Sequence, residues 1–257
     1  MGALIAAAAA TLVFCAPGYP GESGDAQPYV DGFARAAAAA SGWPAGYLAA
    51  VYDPTEAGGL AKLSRSDAAL AFVPYPFFVE HAAQLHLAAL VDADVTELGS
   101  RQRWTLVAKR GRVSGAASLA GLTIVSTAGY AVEFVRHSAL EAWPLAGDVR
   151  IESTGQVLSA LRRAAAGEPV VVLLDQTQAT ALAGLPFANE LQAVVQSPEL
   201  PVAVLAVVDS RVGAARVAAL RSGLLELGRD PRNAELLASL RLRGFVPSEH
   251  PGRTGTP

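Results

Sequence analysis

Apolar runs of strand length take turns with amphipathic runs of helix length along almost the whole chain. Strand-like runs fall at 11–18, 47–53, 68–76, 87–95, 103–111, 122–127, 148–154, 168–176, 191–197 and 200–210. Helical spacing fills 26–41, 77–86, 128–143, 155–167, 177–184, 213–228 and 231–243, with Gly42, Gly167 and Gly228 as closing residues. Residues 68–76 and 168–176 are nearly continuous apolar runs, as for strands buried on both faces. This alternation predicts an α/β fold with mostly parallel strands. The runs 103–110 and 191–208 are long and β-rich, as expected of two crossovers between lobes. Lobe I then comprises 11–102 and 200–247, lobe II comprises 103–199, and 248–257 is a disordered tail.

Composition removes several function classes. The chain has 257 residues, 52% hydrophobic and 17% charged, enough to bury a sizeable core. A net charge of −3 lacks the basic excess of a nucleic-acid binder. A single cysteine excludes a disulfide framework and a multi-thiolate zinc site. No apolar run reaches the ~20 residues that span a bilayer. At the N-terminus, residues 2–10 (GALIAAAAA) have the apolar stretch and small-residue cleavage site of an export signal, with a cut before Thr11, but no basic n-region. Residues 1–10 therefore read either as a signal remnant or as an Ala run leading into the first strand. Cys15 lies inside a strand-like run and reads as a buried thiol.

The motifs of catalysis are missing. The histidines, His81, His86, His137 and His250, show no zinc spacing and read as surface residues. There is no G-x-S-x-G elbow, no phosphate loop and no GxGxxG. No catalytic residue, metal ligand or cofactor is assigned. What remains are strand C-termini ending in small or polar residues, where open α/β sheets bind ligands. Four stand out: Cys15–Tyr19, Phe72–Pro76, Ser126–Tyr130 and Leu174–Thr177. Ser126 and Thr127 precede an expected helix, so they read either as plain caps or as part of an anion site at a helix N-terminus, where Gly129 permits close approach. Asp175 is either an acceptor in a cleft or the cap of the 177–184 helix. Tyr19, Tyr75 and Tyr130 add aromatic hydroxyls.

Several segments together resemble the phosphate/phosphite/phosphonate ABC-transporter substrate-binding proteins, with their type II periplasmic-binding-protein-like, two-lobed fold. They are the GYPG loop at 18–21, SRSDAALAFVPYPFF (64–78), WTLVAKRGRVSGAASLAGLTIVST (104–127), STGQVLSALRRAAAGEPVVVLLDQ (153–176), SPELPVAVLAVVDSRV (197–212) and LLELGRDPRNAELLASLRLRGFVP (224–247). The resemblance implies two mostly parallel lobes joined by two hinge crossovers that close over a small, anionic solute. It implies ligand contacts from Tyr19, Pro74 and Tyr75 in lobe I and from Ser126, Thr127, Tyr130, Asp175 and Gln176 in lobe II. It implies a periplasmic monomer whose partners are that solute and an ABC-transporter permease. Two other readings stay open: a small-carboxylate lyase on the same fold, with Asp175 or Glu56 as its acid or base, and an orphan sensor domain.

Overall fold

The computed structural model describes residues 10–18, 23–209 and 211–249. In chain order, the elements up to the first link are β1 (Ala10–Cys15), α1 (Ser23–Ala40), β2 (Leu48–Asp53), α2 (Glu56–Leu63), β3 (Ala68–Pro74), α3 (Tyr75–Leu85) and β4 (Leu87–Val95). Then come β5 (Arg101–Gln102), β6 (Thr105–Lys109), β7 (Thr123–Ser126), α4 (Val132–Phe134), β8 (Arg150–Ser153), α5 (Val157–Ala166), β9 (Val170–Leu174), α6 (Gln176–Leu182) and β10 (Leu191–Gln196). The chain ends with β11 (Leu200–Pro201), β12 (Ala203–Val208), α7 (Ala214–Leu227), α8 (Ala234–Ser239) and β13 (Leu242–Pro247). It divides into two compact units, one built from the chain up to Ser100 and from Pro201 onward, the other from Arg101–Leu200. The short strands β5 and β11, where the chain passes between units, form a two-stranded sheet.

The first unit has a six-stranded sheet in the order β13-β4-β12-β3-β1-β2. Strand β1 pairs in parallel with β2 and β3, whereas β12 is antiparallel to β3 and β4, and β13 to β4. Helix α1 buries Val30, Phe33, Ala34, Ala37 and Ala38, the i, i+3, i+4, i+7, i+8 stripe of a core-facing helix. Phe33 meets Phe14 of β1 edge-on with ring centroids 5.4 Å apart, and Phe245 of β13 at 5.8 Å. Helix α7 buries Leu220, Gly223, Leu224 and Leu227. A Cβ on Gly223 would lie 2.7 Å from the Ala40 carbonyl, so the two helices touch backbone to backbone there.

The second unit has a five-stranded sheet in the order β10-β6-β9-β7-β8. Strands β7, β8 and β9 run parallel, while β6 is antiparallel to β9, and β10 to β6. All five residues of β9, VVVLL, are buried. Helix α5 covers this sheet with Ala160, Leu161, Ala164 and Ala165 and stops at Gly167, whose φ of +90° is the left-handed conformation glycine adopts without strain.

Both sheets are thus mixed rather than mostly parallel. Parallel neighbours need a crossover element between them. The strands β6 and β12 follow directly on the short linking strands β5 and β11, so nothing forces them to be parallel. A second correction concerns the C-terminus. The helix expected over 231–243 stops at Ser239, Arg241 turns left-handed at φ +54°, and Leu242–Pro247 becomes an edge strand on β4. Residues 1–9, on which the export-signal reading mostly rests, lie outside the described residues, as do Tyr19 and 250–257 of the expected tail. Ala10 is the first residue of β1, 1% exposed, and its N–H donates to the Tyr47 carbonyl at 3.1 Å, so a cut before Thr11 would fall inside that strand.

The Gly223 contact gives a stability test. Gly223→Ala should lower stability by about 1–3 kcal/mol through overpacking. The denaturant midpoint of Ser222→Ala, at the exposed neighbouring position, should match the wild type.

Candidate functional site

In the second unit the carboxyl ends of β7, β8 and β9 lie side by side, because the three strands are parallel neighbours. Ser126 ends β7 and Ser153 ends β8, and the two are register partners. Each is followed by threonine, Thr127 and Thr154, so two Ser-Thr pairs stand next to each other at one edge of the sheet. The Thr154 N–H donates to the Ser126 carbonyl at 2.9 Å. Gly129 lies so close to Glu152 and Ser153 that any Cβ would overlap the Glu152 carbonyl. Only glycine fits there, and its absent side chain brings the two loops together.

A shallow concavity of about 320 Å³ opens at this edge, lined by Val125, Ser153, Thr154, Gly155, Gln156, Ser159, Ala160 and Arg163. The Thr154 hydroxyl accepts the Gln156 N–H at 3.0 Å and turns the chain into α5. Arg163 pairs with Glu168 at 2.7 Å on the half-exposed side. The segment Ser153–Gln156 was not among the residues expected from sequence. Its signal was present as a repeat, STAG at 126–129 and STG at 153–155, each just after a strand.

The expected residues fare differently. No helix begins at 128. Residues 127–130 form turns, α4 begins at Val132, and it runs into a π-helical stretch over Val135–Ala139. Ser126 is fully buried, and its hydroxyl is used inside the protein: it donates to the Leu173 carbonyl at 2.8 Å and accepts the Ala128 N–H at 3.2 Å. In this structure that hydroxyl is a structural tie between β7 and β9. Thr127 and Tyr130 follow it, half-buried. Asp175 is a cap: its carboxylate accepts the Gln178 N–H at 2.8 Å, and the Gln178 side chain returns the bond to the Asp175 N–H at 3.2 Å. Burial raises the Asp175 pKa against the lowering effect of the Gln178 and Thr177 N–H groups. Gln176 accepts the Arg103 N–H on its side-chain oxygen at 3.2 Å.

In the first unit Pro74 ends β3 and Tyr75 opens α3. Tyr75 is buried, its N–H donates to the Val202 carbonyl at 3.1 Å, and its ring stacks on Phe78 at 6.3 Å. A polar network surrounds the β2–α2 turn. Thr55 donates to Asp53 through its N–H at 2.9 Å and its hydroxyl at 2.7 Å, and Lys62 forms an ion pair with Asp53. Burial alone would raise the Asp53 pKa, but Lys62 and Thr55 outweigh it and hold it below the usual carboxylate range. The Cys15 thiol donates to the Thr55 carbonyl at 3.4 Å, and burial first, then Asp53 and Glu56, push its pKa up to about 12. His81 is buried rather than on the surface. Its Nε2 is 2.9 Å from Glu56 and its ring lies 4.7 Å from Phe77, so this Glu56 carboxylate is the hydrogen-bond partner of the imidazole. Among the described residues no group of three or more His, Cys, Asp or Glu could hold a metal ion, and no helix is long and apolar enough to cross a membrane.

No protein-family model and no curated protein matches the chain in sequence. Solved structures do match it. XAC2383 from Xanthomonas citri, bound to ATP, superposes with a TM-score of 0.67 at 15% identity, over 93% of this chain and 92% of its own. PhnD1 from Prochlorococcus marinus, in complex with methylphosphonate, gives 0.56 at 12% identity over 94% and 93%. A binding-protein component of an ABC phosphonate transporter from Pseudomonas aeruginosa gives 0.54 at 15% identity over 93% and 82%. The chain has the periplasmic-binding-protein fold. The Ser153–Gln156 loop and the 127–130 turn lie beyond the carboxyl ends of β8 and β7, the side on which open α/β sheets bind ligands in general.

Two outcomes test this description. Ser126→Ala should cost about 1–3 kcal/mol in urea unfolding, since the Leu173 carbonyl and the Ala128 N–H both lose their partner. The Cys15 thiol, with a pKa near 12, should stay unmodified by a thiolate-selective reagent at pH 8 in the native protein and react once the protein is unfolded.

Proposed function

We propose that the protein is an extracytoplasmic solute-binding protein that captures a small anionic solute of the phosphate or phosphonate type for an ABC transporter. The observation that carries this reading is the in-register pair Ser126 and Ser153, which brings two Ser-Thr loops together beyond the carboxyl ends of parallel strands. Hydroxyls and backbone N–H groups there suit an oxyanion, which can be held without a formal positive charge. The solved structures support it: one neighbour is bound to ATP and another is in complex with methylphosphonate. Both ligands carry a tetrahedral phosphorus oxyanion.

The contacts proposed in the second unit are Thr127, Tyr130, Ser153, Gln156 and Gln176, with Ser126 and Asp175 holding the loops in shape. Tyr19, Pro74 and Tyr75 are the proposed contacts of the first unit. The proposed location is the periplasm, as a monomer, and the proposed macromolecular partner is the transporter permease. Binding without turnover separates this role from a lyase.

A thermal-shift and calorimetry screen with phosphate, phosphite, methylphosphonate, methanesulfonate, acetate and ATP tests it. At least one phosphorus oxyanion should raise the Tm and be recovered unchanged. Thr127→Val with Ser153→Ala should weaken that ligand by about 10-fold or more while leaving the ligand-free Tm within a few degrees. A ligand that is consumed, or a screen in which acetate alone binds, overturns the proposal.

A further inference from the structure

We infer that the solute carries a second acidic group, and that Arg163 reads it while the Ser153–Gln156 loop holds the first; this deepens, and rests on, the solute-binding reading above. The concavity beyond β8 does not end at that loop. It continues along the flank of α5, where Gln156, Ser159, Ala160 and Arg163 all line it, one face at i, i+3, i+4 and i+7. At about 1.5 Å per residue, Gln156 and Arg163 stand about 10 Å apart along the helix axis. One tetrahedral oxyanion does not touch both ends of such a groove. The start of α5 is not the recognising feature, since the Gln156 N–H is already bonded to the Thr154 hydroxyl at 3.0 Å.

What distinguishes the far end is a cation held on one side only. The Arg163 Nε donates to the Glu168 carboxylate at 2.7 Å. Glu168 is fixed in turn, because the left-handed Gly167 reverses the chain and the Glu168 N–H donates to the Arg163 carbonyl at 3.1 Å. Backbone and side chain thus tie the pair together, and Glu168 is a positioning residue. The terminal Nη groups of Arg163 have no protein partner among the described residues, and neither do the hydroxyls of Ser153 and Ser159 in the same concavity. Guanidinium N–H groups only donate, and their planar fork matches the two oxygens of a carboxylate or the oxygens of a phosphate. The loop end, lined by hydroxyls, suits a phosphorus oxyanion. The arginine end suits a further anion, so the class of solute is a phosphonate or phosphate ester with a distal carboxylate or phosphate.

The test measures, by calorimetry, the ratio of affinities for 3-phosphonopropionate and propylphosphonate, which carries a methyl group where the first carries its carboxylate. Wild type should prefer 3-phosphonopropionate by about 10-fold or more, as expected of a charge-assisted hydrogen bond. Arg163→Met should bring the ratio to within about 2-fold, and Arg163→Lys, which keeps the charge but not the fork, should fall between. Arg162→Met removes the same charge one residue away, outside the lining of the concavity, and should keep the wild-type ratio. The ion pair with Glu168 is half-exposed, so its loss adds little and the ligand-free Tm of Arg163→Met should hold. An arginine that only paired with Glu168 would not move a ratio between two ligands. If wild type binds a phosphorus oxyanion of any kind without this preference, or Arg163→Met keeps it, or Arg162→Met abolishes it as well, the inference is overturned while the solute-binding reading stands. If wild type binds no phosphorus oxyanion, both fail.

Discussion

A single buried hydroxyl organises the carboxyl-end edge of the sheet in the second unit. Ser126 bonds across to β9, receives the N–H of the turn that follows it, and offers its carbonyl to Thr154 beyond β8. Three strand ends and two loops are thereby set by one residue that water does not reach. Leaving such groups unpaired in a buried site costs far more than forming the bonds gains, so the arrangement is held by what its loss would expose. The loops beyond it carry the exposed polar groups; Ser126 carries their geometry.

The first unit solves a similar problem with charge. The turn after β2 is held by Asp53, which gathers Thr55 and Lys62, and a second pair, Glu56 with His81, joins α2 to α3. Cys15 lies against Gly59 in this network, and the space it fills leaves no room for a side chain at that glycine. The thiol is packing, and its elevated pKa is a result of burial among acids. Ion pairs with one partner partly exposed add modest stability, so this network shapes the turn more than it strengthens the unit.

Much of the architecture was legible because hydrophobic periodicity is local. The run VVVLL of β9 and the five-residue stripe of α1 announce their burial directly. Strand direction is not local. Whether β12 runs with or against β3 depends on how the chain re-enters the sheet, which no window of residues records. The 128–143 stretch misled for a related reason. Its apolar spacing suits a helix, but the close approach of Gly129 to Glu152 and the hydroxyl of Ser126 hold 127–130 as turns. At Asp175 the residues allowed two roles, and the structure shows the capping bond to the Gln178 N–H, a pairing that depends on where the helix begins. His81 read as a surface residue because its partner Glu56 is 25 positions away in sequence. The place of the Ser153–Gln156 loop is not legible in any one segment, since it comes from register with Ser126, a relation that exists only once the strands are paired.

The contact at Gly129 has an evolutionary consequence. Because no side chain can be added there without displacing the backbone of the neighbouring strand, the innermost point of this edge is closed to variation. Variation is left to the flanking positions, Thr127 and Tyr130 on one side and Ser153 and Gln156 on the other, around a floor whose shape is inherited unchanged.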